Sequence, residues 1–122
     1  MTATVDGPDF IALQVRDLEA AALFCEKHLG LRRLPVGPPG AVVFDTKPCQ
    51  IAVREPLPGT DLDTGRPGLG VAIWLTTTDA AALHAQLTAA DVEVLTPVMD
   101  NPFGQMFTFV GPEGYVLTAY QA

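Results

Sequence analysis

The feature that most constrains this chain is an internal repeat. The order strand, helix, strand, strand, strand occurs twice and accounts for almost every residue. In the first half, Phe10-Ile11-Ala12-Leu13-Gln14-Val15 is too short for a helix and leads to a cap-like Asp17, which predicts a strand feeding a helix. The Ala- and Leu-rich run from Leu18 to Leu29 predicts that helix, and Gly30 predicts its stop. A short strand is expected at Leu31 to Leu34, then a turn punctuated by Pro35, Gly37, Pro38, Pro39 and Gly40. A hairpin of strands at Ala41 to Thr46 and Cys49 to Arg54 closes this half. The second half repeats the order with a strand at Gly70 to Thr76, a helix capped by Asp79 and running to about Ala90, and a short strand at Val92 to Leu95. After a loop from Pro97 to Gly104, strands at Gln105 to Val110 and Tyr115 to Tyr120 flank the turn Gly111-Pro112-Glu113-Gly114.

Between the halves lies Glu55 to Gly68, rich in Pro, Gly and acids and without periodicity, which reads as a linker. The expected organisation is one domain over residues 1–122, with modules at 8–54 and 69–121 joined by the linker 55–68. A half of about 60 residues buries too little surface to stand alone, so the halves are expected to pack together or with another chain. The fold class is therefore α+β: two βαβββ modules in tandem, forming curved mixed sheets around a cleft with helices on the outer face. Strands that are apolar on both faces fit this plan, one face meeting the helices and the other lining the cleft.

Charge and cysteine usage exclude several classes. Seven Lys and Arg against fourteen Asp and Glu give a net charge of −7, which is unsuited to phosphate backbones or anionic lipid, so neither nucleic acid nor a membrane is an expected partner. No apolar run is long enough to span a bilayer, and the start of the chain lacks the basic and apolar regions of a secretion signal, so a cytoplasmic protein is expected. Cys25 and Cys49 form no metal or redox pair motif and read as reduced and packed. His28 and His84 fall within helical patterns without a second ligand type at helical spacing. No Ser-His-Asp or Cys-His arrangement assembles from the expected faces, and glycine-rich phosphate loops are absent.

The segments Phe10-Ile11-Ala12-Leu13-Gln14-Val15-Arg16-Asp17-Leu18-Glu19-Ala20-Ala21, Phe24 with Leu29-Gly30-Leu31, and Phe109-Val110-Gly111-Pro112-Glu113-Gly114-Tyr115-Val116-Leu117 resemble the vicinal oxygen chelate superfamily. That group includes glyoxalases, extradiol dioxygenases, fosfomycin-modifying enzymes and bleomycin-binding resistance proteins. The resemblance covers roughly residues 8 to 121, and Gly111-Pro112-Glu113-Gly114 is a variant of the family's Asp-Pro-Asp-Gly turn. In metal-using members it implies ligands at Phe10, Ala52, Ala72 and Thr118, where this chain offers a phenyl ring, two methyl groups and one hydroxyl. Such a set is no metal site, and shifting the register by one residue brings only apolar neighbours. No metal and no cofactor is therefore expected.

Strand alternation then predicts the lining of the cleft. Phe10, Ala12 and Gln14 come from the first strand, and Val42, Phe44, Gln50, Ala52 and Arg54 from the rest of the first half. The second half supplies Trp74, Thr76, Met106, Thr108, Val116, Thr118 and Tyr120, with Phe103 on a loop above. Ile11, Leu13, Ile73, Phe107 and Phe109 are assigned to the helix-facing core. Aromatic rings among small side chains suit a planar hydrophobic ligand fixed by a few polar groups. Core packing is the competing role for Phe10 and Phe44, core or interface packing for Trp74, edge packing for Tyr120, and an exposed charge or a pair with Glu55 or Asp61 for Arg54. The leading expectation is metal-independent sequestration of a small aromatic or hydrophobic antibiotic or metabolite by a homodimer. Two others stay open: a lyase, isomerase or dioxygenase, metal-dependent or using Tyr120, Arg54 or Glu113 as acid and base, and a structural or regulatory member whose cleft its own side chains fill.

Overall fold

A computed structural model describes residues 2–122. The chain divides into two compact units, one ending at Thr60 and the other starting at Asp61, so the division falls inside the Pro- and Gly-rich segment. Each unit is an α+β module in which one helix packs on one mixed sheet.

In the first unit β1 (Phe10–Gln14) leads into α1 (Leu18–Leu29), followed by β2 (Ala41–Phe44) and β3 (Gln50–Arg54). The Asp17 carboxylate caps α1 by accepting from the Ala20 N–H at 3.0 Å, and Gly30 ends it in the left-handed conformation at φ 68°. The sheet order is β1-β3-β2: β3 runs parallel to β1 and antiparallel to β2. The strand expected at Leu31 to Leu34 reduces to a single bridge between Arg33 and Phe44.

The second unit contains β4 (Ile73–Thr76), α2 (Ala80–Ala89), β5 (Met99–Asn101), β6 (Gly104–Val110), a single 3-10 turn at Pro112–Gly114 and β7 (Val116–Gln121). Asp79 caps α2 through the Ala82 N–H at 2.9 Å. The order is β4-β7-β6-β5, with β4 parallel to β7 and the other pairs antiparallel. The strand expected to begin at Gly70 begins at Ile73, and the one at Val92 to Leu95 is a lone bridge between Val94 and Phe109. The segment expected as a loop instead contains β5, paired with β6 through a tight turn at Pro102 and Phe103. Asn101 stabilises that turn, its side-chain oxygen accepting from the N–H groups of Phe103 at 2.8 Å and Gly104 at 2.9 Å.

Burial separates the two faces of each sheet. Leu13, Val53 and Phe44 share one face of the first sheet, and α1 packs on β2 and β3. Phe107, Phe109, Leu117 and Ala119 share one face of the second, and α2 packs on β6 and β7. Each fully buried Phe or Leu contributes roughly 1.5–3 kcal/mol by leaving water, so these faces dominate the stability of the units. Among the described residues no helix is long and apolar enough to cross a membrane.

Candidate functional site

The opposite face of the second sheet carries Trp74, Thr118 and Thr108 in one row and Thr76, Tyr120, Met106 and Met99 in the next, as the pairing registers require. Trp74 remains 50% exposed, which for the chain's single tryptophan leaves half of a large flat surface open to contact. Tyr120 packs edge-on against it with ring centroids 5.8 Å apart. The Tyr120 hydroxyl donates to the Phe103 carbonyl at 2.7 Å, so the ring is held from both ends and the hairpin tip is tied to β7. Phe103 itself stands out from that tip, mostly exposed. Thr108 is anchored through its N–H to the Thr96 hydroxyl at 3.0 Å, and Thr118 is buried in the middle of the face.

All the second-half residues expected on one face therefore share it. Met99 was missed, because the three-residue strand that carries it lies in a Pro- and Gly-containing segment; the Asn101-Pro102-Phe103-Gly104 turn was the available signal. Met99 adds a soft, polarisable side chain beside Met106.

In the first unit Phe10, Ala12, Gln14, Gln50, Ala52 and Arg54 share the face away from α1. Phe10 is half exposed, and Gln50 pairs beside it. The side-chain oxygen of Gln14 accepts from the Leu57 N–H at 2.7 Å, which fastens the segment after β3. The placement of Phe44 with these residues requires correction. Phe44 pairs with Ile51 and Val42 with Val53, which puts both on the helix side, and Phe44 is fully buried there. Val43 and Ala41 take the positions beside Ala52 and Arg54. The cause is the register of the β2–β3 hairpin: a shift of one residue exchanges the faces of an entire strand.

The positions that would carry metal ligands do not fit a metal. Ala52 is fully buried with only a methyl group, Ala72 is exposed, Phe10 offers no lone pair and Thr118 a single hydroxyl. Among the described residues no group of three or more His, Cys, Asp or Glu converges. Both histidines serve packing: His28 lies edge-on to Phe24 at 4.8 Å, and His84 to Phe107 at 5.1 Å. Glu113 sits in the 3-10 turn with a left-handed backbone at φ 55°.

A family model described as glyoxalase/bleomycin resistance protein/dioxygenase superfamily matches residues 7–118, nearly the whole chain. The chain belongs to this superfamily. Solved members carry the same fold at low identity. TnmS3, an antibiotic-binding protein from Streptomyces sp. CB03234, superposes with a TM-score of 0.77 at 23% identity, covering 98% of each chain. A glyoxalase/bleomycin resistance protein/dioxygenase from Nocardioides gives 0.75 at 21% identity, covering 98% of this chain and 85% of its own. A glyoxalase/bleomycin resistance protein from Streptomyces sp. CB03234 gives 0.73 at 25% identity, covering 92% and 97%. Among curated proteins, none matches the sequence significantly.

Proposed function

We propose that this protein binds and sequesters a small planar aromatic or hydrophobic molecule, an antibiotic or a metabolite, without a metal and without converting it. The observation that carries the reading is Trp74: a half-exposed indole braced by Tyr120, on a sheet face of Thr, Met, Val and Asn side chains to which the strands, among the described residues, add no ionisable residue other than the Tyr120 phenol. Such a face offers stacking, sulfur contact and hydroxyl hydrogen bonds, which hold a flat ligand but supply no acid–base pair poised for chemistry. The Tyr120 hydroxyl is committed to a backbone carbonyl, which suits a brace better than a proton donor. The likeness to the antibiotic-binding TnmS3 supports the same direction. We read the protein as a cytoplasmic homodimer, a state that sedimentation would establish.

Trp74 is the only tryptophan, so its emission reports on this face alone. Titration with acridine, anthraquinone and riboflavin is expected to quench it saturably for at least one probe. Trp74→Ala should then weaken binding of that probe, measured by equilibrium dialysis, by about 1–3 kcal/mol. No quenching across these planar probes would refute the reading.

A further inference from the structure

Among the described residues Thr118 is, beside the thiol of Cys25 and the phenol of Tyr115, the only polar side chain that is buried, with 8% exposure. It lies midway along β7, which is flanked by β4 and β6, with Trp74 in register on one side and Thr108 on the other. Its strand neighbours Leu117 and Ala119 turn to the helix side, so Thr118 belongs to the face that carries Trp74. Among the described residues nothing hydrogen-bonds to its hydroxyl. The other hydroxyls of the face are committed or hydrated: Tyr120 donates to the Phe103 carbonyl at 2.7 Å, Thr108 is directed at the Thr96 hydroxyl at 3.5 Å, and Thr76 is exposed. Arg33 Nε is the sole fully enclosed side-chain polar atom without a partner among the described residues, so the Thr118 hydroxyl keeps an opening onto the face.

A buried hydroxyl without a partner costs stability, and valine would fill the same space in a strand without that cost. A hydroxyl kept there calls for a partner outside the chain. It can donate one hydrogen bond and accept two, and it carries no charge. Among the described residues the strands add to this face no ionisable residue other than the Tyr120 phenol, so a charged ligand would give up its hydration without meeting a counter-charge. We propose that Thr118 is the hydrogen-bonding anchor of the Trp74 face, and that its ligand is a neutral planar aromatic molecule bearing an oxygen substituent, a ketone or a hydroxyl, that meets the Thr118 Oγ1 while the ring lies along the indole. The inference rests on the small-molecule reading above and narrows its ligand from any flat apolar molecule to this class.

The test measures, by equilibrium dialysis on the full chain, 2-naphthol against naphthalene and 2-acetonaphthone against 2-ethylnaphthalene. Each oxygen-bearing probe is expected to bind about three- to tenfold more tightly than its hydrocarbon, and the anion 2-naphthoate more weakly than 2-naphthol. Thr118→Val should erase the preference yet unfold at a higher temperature than wild type, because the unpartnered hydroxyl is gone, whereas Thr118→Ser should keep the preference. A hydroxyl serving the fold alone would give the opposite pattern. Equal binding within each pair, a preference that survives Thr118→Val, a Thr118→Val variant less stable than wild type, or 2-naphthoate binding more tightly than 2-naphthol overturns the proposal. If the members of each pair bind equally and all weaken in Trp74→Ala, the sequestration reading stands without the anchor; if no probe binds, both fall. A Thr118-dependent preference that Trp74→Ala leaves untouched upholds the anchor and removes the indole platform.

Discussion

Phe44 and Trp74 are both large aromatic residues expected from sequence on one surface, and the pairing registers assign them opposite tasks. Phe44 has no exposed surface, whereas Trp74 keeps half of its own. Truncating a fully buried phenyl ring removes roughly 150–200 Å² of apolar contact and leaves a cavity, so Phe44→Ala should cost about 3–5 kcal/mol. For a chain of 122 residues each kcal/mol lowers Tm by about 4 °C, which places the loss at roughly 12–20 °C. Trp74→Ala opens a site that water refills and should cost only about 1–2 kcal/mol. Urea titration of both variants measures the difference, and Phe44→Leu serves where the alanine variant is too unstable to study. Ligand affinity should reverse the order: unchanged in Phe44→Leu and reduced in Trp74→Ala. A Phe44 variant that keeps its stability but loses ligand would put the ring on the binding face and refute the β2–β3 register.

Five further outcomes follow from particular residues and from the donor sets they form. Burial, aided by the neighbouring charge of Glu26, pushes the Cys25 thiol up to about 11, so it should react with a thiol reagent at pH 8 far more slowly than the less buried Cys49. Because that pKa is raised from 9.0, the associated stability is complete below pH 9 and is lost as pH rises through about 11; wild type should lose about 3 kcal/mol more than Cys25→Ala across that window, read by urea midpoints. Asp17→Ala and Asp79→Ala each remove a helix cap and should each cost about 1 kcal/mol, seen as falls in Tm of roughly 4 °C. Gly104 has φ 151°, and a Cβ there would collide with the Gln121 carbonyl oxygen, so Gly104→Ala should cost about 2–4 kcal/mol and loosen the hairpin bearing Phe103, detected as faster amide exchange at residues 99–106. After incubation with manganese, iron, nickel or zinc and removal of the excess, elemental analysis should find far less than one ion per chain; one retained ion would mean a donor set other than the positions tested.

Helices and their limits were legible because short signals specify them locally. Asp17 and Asp79 cap, Gly30 stops, and Ala and Leu fill the turns between. The second sheet was legible for a different reason: in Leu117-Thr118-Ala119-Tyr120 the apolar Leu117 and Ala119 alternate with the hydroxyl-bearing Thr118 and Tyr120, so the sequence itself marks two faces. Ala41-Val42-Val43-Phe44 has no such alternation, and a strand apolar at every position is compatible with either register. Only the pairing partner decides it, and Ile51 opposite Phe44 is a tertiary fact. The site follows the same division. Trp74, Met106, Thr108, Thr118 and Tyr120 were readable because their strands alternate, while Met99 lay in a strand of three residues, too short for any period. Arg54 is the instructive intermediate, since alternation fixed its face but not its partner. Glu55, its sequence neighbour, would be the natural counter-charge, yet adjacent residues of an extended chain point to opposite sides, and the Glu55 carboxylate accordingly lies over Gly40.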